Sequence, residues 1–275
     1  MARKSRGICA TPKTLTNTRK LRSVSAKTTR KIIRSRHALL KDKERFEREG
    51  DAVKVKQIEE QLEDLGGIQI YQQASLLGQD RSRGGDTSEL LVDWLKQFAL
   101  PQNLRLLEVG ALSSKNACSR SGIFATIERI DLNSQEKDIK QQDFFERPLP
   151  ESTDDQFHVI SLSLVVNYVP DRARRGLMLK LLRSFLLPPE SCTSPLPCVF
   201  LVLPAACIHN SRYCDSQLLV DIMTSLGYKL SREKISHKLA YWLWTLLPAS
   251  SATAKPFPKR EIHSGSKRNN FCIEL

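Results

Sequence analysis

Short apolar runs alternate with amphipathic stretches through the middle of the chain. The apolar runs predict strands at 104–109, 125–131, just before Asp143, and at 157–166, 197–203, 228–235 and 239–247. Apolar residues at helical spacing predict a helix that begins at Pro170-Asp171 and another over 215–226. This alternation is typical of a mostly parallel sheet covered on both faces, and the last two strands predict an antiparallel hairpin at its edge. The pattern therefore predicts an α/β fold.

The sequence predicts three parts that flank this α/β domain. Residues 37–100 combine a charged stretch that has apolar positions at helical spacing with a helix that begins near Asp86, which predicts a helical N-terminal extension. Residues 101–248 form the α/β domain. Residues 1–36 and 249–275 are rich in Lys, Arg, Ser or Pro, and we expect both tails to be disordered, with docking of Phe271 to Leu275 as the alternative for the C-terminal end.

The candidate chemistry centres on the first two strands. The first ends at Gly110, whose backbone freedom allows a sharp turn and close approach to a ligand. The second ends at Asp131, placed to accept hydrogen bonds from two ribose hydroxyls. The intervening loop lacks G-x-G-x-x-G, so a pyrophosphate cradle is not indicated. A nucleoside without phosphates fits better, and S-adenosylmethionine is such a cofactor. An ordinary βαβ unit that binds nothing remains the alternative.

Polar residues also lie at the other predicted strand ends. Glu108 would hold the turn or bind the methionine ammonium through water. Asp143 would accept from the adenine amino group while Phe144 covers one face of the base. Asn167 and Tyr168 end the fourth strand, where a hydrogen bond and a stacking ring would receive a substrate base. The alternative is that the acids start loops or cap helices and that Tyr168 only packs.

Charge is distributed unevenly along the chain. Residues 1–36 carry twelve Lys and Arg and no acid, whereas the remaining chain has 31 basic and 30 acidic residues. Such a basic tail on a nearly neutral body predicts a polyanionic partner such as RNA, or a nuclear or nucleolar targeting signal. A solvated tail without a partner and a mitochondrial presequence remain alternatives.

Two classes of site are not expected. The seven cysteines are odd in number and form no C-x-x-C pair, which favours reduced thiols and argues against a metal site. No apolar run approaches the roughly 20 residues that cross a bilayer, so no membrane association is expected.

Four stretches carry a resemblance to a known family. They are YQQASLLGQDRSRGGDTSELLVDWL (71–95), LRLLEVGALSSKNACS (104–119), IDLNSQEKDIKQQDFFERPLP (130–150) and SLSLVVNYVPDRARRGLML (161–179). With them the chain resembles the fungal nucleolar enzymes that methylate an adenine N1 of large-subunit (25S) ribosomal RNA. The single-glycine loop EVGALSSKNA is unusual among methyltransferases, which makes the resemblance specific.

The resemblance implies a Rossmann-like class I S-adenosylmethionine-dependent methyltransferase fold with a seven-stranded, mostly parallel sheet. It implies that Gly110 and Asp131 bind S-adenosylmethionine, that ribosomal RNA or a pre-ribosomal particle is the partner, and that the protein is nuclear and nucleolar. We expect a monomer. SLVVNYVP replaces the Asn- or Asp-Pro-Pro-aromatic signature of N6-adenine enzymes, which leaves Asn167 and Tyr168 as catalytic candidates only.

Two further functions remain open. The animal relatives of this family resemble S-adenosylmethionine sensors that act through protein partners, which predicts a binding module without transferase activity. A methyltransferase that acts on protein is the third hypothesis.

Overall fold

The computed structural model describes residues 26–67, 70, 85–134, 136–193, 195–253 and 255–275. The chain forms two compact units, residues 1–77 and 78–275. Residues 1–25 of the basic tail lie outside the described residues, as do 71–84 in the first resembling stretch.

The first unit contains two helices joined by a tight turn. Helix α1 spans Ala26–Glu49 and helix α2 spans Ala52–Asp64. Gly50 makes the turn with φ of +71°, and the Asp51 side chain caps α2 by accepting from the Lys54 backbone N–H at 3.1 Å. Lys43 Nζ lies 2.7 Å from Glu59 Oε1, an ion pair that joins the two helices.

Helix α1 begins well inside the segment expected to be disordered. Residues 26–36 are helical, so the prediction of a disordered tail is wrong for this part. Lys and Arg are good helix formers, and Ile32 is buried in the same stretch. A run of only positive charges was therefore interpreted as disorder, although these residues form the start of a helix that continues past residue 36, where acidic residues also occur.

The second unit is built on a seven-stranded sheet. The strands are β1 (Leu104–Val109), β2 (Phe124–Asp131), β3 (Lys140–Gln141), β4 (Val159–Ser163), β5 (Cys198–Pro204), β6 (Tyr228–Ile235) and β7 (Leu239–Leu246). Their order is β3-β2-β1-β4-β5-β7-β6. Strand β7 runs in the opposite direction to the other six strands, which are parallel to one another. The direction of winding reverses between β1 and β4, which is where ligands bind in open α/β sheets. The predicted α/β sheet with its antiparallel edge is confirmed.

Helices cover both faces of this sheet. They are α3 (Ser88–Leu95), α4 (Ala117–Arg120), α5 (Arg172–Phe185), α6 (Ala206–His209) and α7 (Ser216–Ser225). Helices α5 and α7 bury apolar residues in one core cluster, and α3 buries Leu91 and Leu95 in the other, against β1 and β5. Helix α3 thus packs on the sheet rather than belonging to a separate extension over 37–100. Among the helices of the described residues, none has the length and apolarity needed to span a membrane.

The C-terminal segment packs against the second unit. Phe257, Phe271 and Ile273 are buried in the larger core cluster, and Phe257 and Leu275 exchange two backbone hydrogen bonds. The expectation of a disordered tail at 249–275 is therefore wrong, and the alternative, docking of Phe271 to Leu275, is what the structure shows. Apart from the short apolar run at 271–273, its apolar side chains are separated by Ser, Pro, Lys and Arg, so no periodic pattern predicted an ordered segment.

Candidate functional site

The structure brings Gly110 and Asp131 together. The parallel pairing of β1 with β2 sets Val109 beside Ile130, so the two strands end at the same edge. The backbone N–H groups of Gly110 and Ala111 both donate to the Ile130 carbonyl, at 2.8 and 3.1 Å. The turn after β1 therefore folds across the end of β2, next to the residue that carries the carboxylate.

Gly110 adopts a conformation that other residues avoid. Its φ is +74°, and a Cβ built on it would lie 2.5 Å from Cγ2 of Val165, which follows β4. The loops that leave β1 and β4 therefore touch at this point. A side chain at position 110 would push the two loops apart at the winding reversal, so the close approach requires glycine.

We expect Gly110→Ala to lower both stability and cofactor affinity. The left-handed backbone costs about 1–2 kcal/mol for alanine, and the contact with Val165 adds to that cost. Gly122→Ala is the matched control, since Gly122 has φ of +71° but open space around its Cβ position. Thermal unfolding and calorimetric titration should show a larger loss for Gly110→Ala; equal losses would mean that the contact with Val165 has no effect.

Asp131 presents one engaged and one available carboxylate oxygen. Its Oδ1 accepts from the Asn133 backbone N–H at 2.8 Å, and within the described part of the chain its Oδ2 receives no hydrogen bond. Partial burial raises the pKa of this carboxyl above its usual range. Leu132 follows directly and is 58% exposed, an apolar surface beside the carboxylate. The arrangement suits a ligand with a hydroxyl donor next to an apolar ring.

Glu108 is held inside the protein. Its Oε1 accepts from Asn116 Nδ2 at 2.6 Å, and its Oε2 lies 3.0 Å from Arg129 Nε, both of these last two atoms being buried. Burial raises the pKa of the Glu108 carboxyl against the opposing effect of Arg129. Glu108 therefore holds the turn between β1 and α4, the first of its two predicted roles; the second, binding of the methionine ammonium through water, stays a prediction.

Asp143 and Phe144 differ from their predicted roles. Asp143 Oδ1 accepts from the Phe145 backbone N–H at 2.8 Å and caps a short 3-10 helix, and its Oδ2 lies 4.0 Å from Arg174 Nη2. The Phe144 ring is buried and packs against Phe185 with centroids 5.3 Å apart. Because the ring lies in the core, it does not cover an adenine face; the 3-10 turn after Asp143 directs it inward.

Asn167 and Tyr168 lie in a turn that follows a strained residue. Leu164 has φ of +59°, a conformation uncommon outside glycine, which ends β4 earlier than the predicted residue 166. The Tyr168 backbone N–H donates to the Val165 carbonyl at 2.8 Å. Within the turn, Asn167 Oδ1 is buried without a hydrogen-bond partner in the described structure. A buried acceptor without a donor is costly unless a ligand supplies one.

Sequence reasoning missed the residues that attach the start of α3 to the site. Asp86 Oδ2 accepts from the Ala117 backbone N–H at 2.6 Å, and Thr87 Oγ1 lies 2.8 Å from Ser163 Oγ at the end of β4. The segment before α3 is thereby fastened to the loops after β1 and β4. In the sequence, Asp86 indicated only the start of a helix, because the long-range partners of Asp86 and Thr87 leave no local pattern.

Glu136 makes a second link that the sequence did not indicate. Its Oε2 accepts from the Ser114 backbone N–H at 2.7 Å, and this hydrogen bond lowers the pKa of the Glu136 carboxyl. The loop after β2 is thus tied to the loop after β1.

In the part of the chain that the structure describes, no group of three His, Cys, Asp or Glu is placed to hold a metal ion.

Comparisons with known proteins agree on one family. The sequence profile described as "25S rRNA (adenine(2142)-N(1))-methyltransferase, Bmt2" matches residues 56–273. The Schizosaccharomyces pombe protein named 25S rRNA adenine-N(1) methyltransferase is 40% identical over 253 residues, 88% of this chain and 90% of that protein. The Saccharomyces cerevisiae protein named 25S rRNA (adenine(2142)-N(1))-methyltransferase is 40% identical over 216 residues, 78% of this chain and 62% of that longer protein.

Solved structures share much lower sequence identity with this chain. A Burkholderia thailandensis 1,6-didemethyltoxoflavin-N1-methyltransferase covers 64% of this chain and 87% of its own, with 8% identity and a TM-score of 0.44. An Aquifex aeolicus SAM-dependent methyltransferase covers 58% of this chain and 94% of its own, with 12% identity and a TM-score of 0.38. The family assignment rests on the sequence matches and not on these structures.

Proposed function

The chain belongs to the Bmt2 family, and from that premise we propose that it transfers a methyl group from S-adenosylmethionine to N1 of an adenine in large-subunit ribosomal RNA. The observation that carries the proposal is the Asp131 carboxylate, which has an oxygen available beside the left-handed turn at Gly110. Gly110 lies at the winding reversal of the sheet, and Asp131 ends the neighbouring strand β2 at the same edge. This is the position at which open α/β sheets bind nucleoside cofactors.

The residues present fit this cofactor. Asp131 accepts from the ribose hydroxyls, and Leu132 provides apolar surface beside it. Gly110 lets the backbone approach the ligand without an intervening side chain. S-adenosylmethionine supplies an activated methyl group when bound, so the chain need only align the nucleophile and exclude water.

The substrate adenine requires no strong base. Its N1 carries a lone pair in the ring plane and attacks without prior deprotonation. Asn167 Oδ1, buried and without a donor, accepts from the exocyclic amino group and orients the ring. Tyr168, in the same turn, is the candidate stacking partner for the displaced base, as in recognition of single-stranded RNA.

The test is methyl transfer to unmodified large-subunit ribosomal RNA with tritiated cofactor. We expect label in N1-methyladenosine at a single adenine. Asn167→Ala should lower kcat about tenfold or more and leave cofactor affinity unchanged, since Asn167 contacts the base and not the cofactor. Tight cofactor binding without labelled RNA would contradict the proposal and favour the sensor hypothesis, and labelled protein would favour the protein methyltransferase.

The basic tail is proposed to strengthen RNA binding and to direct the protein to the nucleus and nucleolus. Deleting residues 1–25 removes seven Lys and Arg but leaves α1 intact. Because each phosphate contact adds to the salt dependence, the truncated protein should bind ribosomal RNA more weakly and with a shallower salt slope. Titration at several salt concentrations measures the slope, and a fluorescent fusion reports localisation. An unchanged slope would exclude the tail from binding.

A further inference from the structure

A second concentration of positive charge lies near the C-terminus. Residues 255–268 contain five Lys or Arg and one Glu, although the chain after residue 36 is nearly neutral. Lys255, Lys259, Arg260 and Lys267 are all exposed, and together we call them the C-terminal basic surface. These side chains are carried by a segment with a defined position on the sheet unit.

Backbone hydrogen bonds attach this segment to the connection that leaves β5. The Ile262 N–H donates to the Arg212 carbonyl at 2.7 Å, and the Asn269 N–H donates to the Asn210 carbonyl at 2.8 Å. Residues 205–213 come directly after β5, at the edge of the sheet where the parallel strands end. The basic surface is therefore fastened to the same edge as the candidate site.

A buried arginine ties the segment to the connection that leaves β4. Arg175 Nη1 donates to the Cys272 carbonyl at 2.6 Å, and its Nε donates to the Val169 carbonyl at 2.8 Å. Val169 follows Asn167 and Tyr168 directly. The segment is thus attached both to the connection after β5 and, through Arg175, to the residue that follows the turn that would receive the substrate base.

Two of the acids around the basic surface are paired, and the third, Glu261, is exposed beside Arg260. Asp215 Oδ2 lies 3.3 Å from His263 Nε2, and Glu274 pairs with Arg172. Among the described residues, Arg260 and Lys267 form no ion pair or hydrogen bond of their own. Their positive charges are therefore available to an external anion instead of balancing the fold.

We propose that the C-terminal basic surface binds the phosphate backbone of the RNA substrate next to the methylated adenine. The proposal rests on the proposed function, because it names the surface that holds the RNA while the base enters the site. Reaching N1 requires the base to leave its stack, and phosphate contacts on the flanking nucleotides keep the strand in register while that happens. The surface positions the RNA and takes no part in methyl transfer.

The test compares two double variants with the same loss of charge. Arg260→Gln/Lys267→Gln removes two charges from the basic surface, and Lys229→Gln/Lys234→Gln removes two exposed charges from β6, the outermost strand. Each full-length protein is titrated with in vitro transcribed large-subunit ribosomal RNA at several salt concentrations. Loss of two phosphate contacts should make the salt slope shallower by about 2 and weaken binding severalfold. The KM for S-adenosylmethionine should not change.

The β6 variant distinguishes RNA binding by the C-terminal basic surface from a general attraction of RNA to any positive charge on the protein. We expect the β6 variant to bind RNA like the unaltered protein. Equal weakening by both variants, or no weakening by Arg260→Gln/Lys267→Gln, would overturn the proposal. RNA binding is measured without methyl transfer, so a protein that binds this RNA but never methylates it would contradict the proposed function while the titration still decides the role of the surface.

Discussion

Asp131→Ala is expected to weaken S-adenosylmethionine binding about a hundredfold to ten-thousandfold. The carboxylate is proposed to accept from two ribose hydroxyls, and each charge-assisted hydrogen bond contributes about 1.5–3 kcal/mol. Calorimetric titration measures the loss. Asp138→Ala is the matched control, because Asp138 is an exposed carboxylate on the loop that follows β2. Unchanged affinity in Asp131→Ala would refute the assignment.

The same carboxyl predicts opposite effects of pH on binding and on folding. Burial raises the pKa of Asp131 in the free protein, so the ionised form is disfavoured by folding. As pH falls through this raised pKa, cofactor affinity should decline, whereas the free-energy cost of burying the charge on folding disappears. Asp131→Asn should therefore be at least as stable as the unaltered protein at neutral pH, although it binds the cofactor poorly. Thermal unfolding without cofactor measures this difference.

Arg175→Met is expected to lower the free energy of unfolding by about 3–5 kcal/mol. The guanidinium is 2% exposed and donates to the carbonyls of Val169, Pro170 and Cys272. Burial lowers the pKa of Arg175. Removing it leaves three carbonyls without a donor, a cost that methionine does not offset by packing. Lys180→Met is the control, since Lys180 is exposed on the same helix.

Kinetic constants distinguish the contribution of Arg175 to stability from its contribution to the position of the Asn167–Tyr168 turn. It is a positioning residue, because it touches the turn of Asn167 and Tyr168 only through the backbone that follows it. At a temperature where Arg175→Met remains folded, kcat should fall while the KM for S-adenosylmethionine stays near its original value. A purely structural role would leave both constants unchanged in the folded fraction. Arg175→Lys should restore part of the kcat.

Local sequence pattern predicted the sheet and the centre of the site. The run at 104–109 coincides with β1, and Gly110 and Asp131 meet because parallel strands place their ends at one edge. These predictions depended only on apolar periodicity, on glycine and on spacing along the chain. Each of these patterns lies within about thirty residues of sequence, which is the length of one βαβ unit.

Side-chain direction and distant partners were not predictable in this way. Phe144 turns into the core because Asp143 caps a 3-10 turn, and Glu108 is engaged by Asn116 and Arg129. The order of the C-terminal segment depends on Arg175, which lies about a hundred residues from its partner Cys272. These outcomes follow from packing and from burial of polar groups, which no short motif encodes.

The most direct test of the account is a crystal structure with S-adenosylhomocysteine bound. The account predicts that both ribose hydroxyls lie within hydrogen-bond distance of the Asp131 carboxylate, with the ligand passing over Gly110 between the ends of β1 and β4. A ligand seated elsewhere on the sheet, or an Asp131 carboxylate that contacts no ribose oxygen, would contradict it.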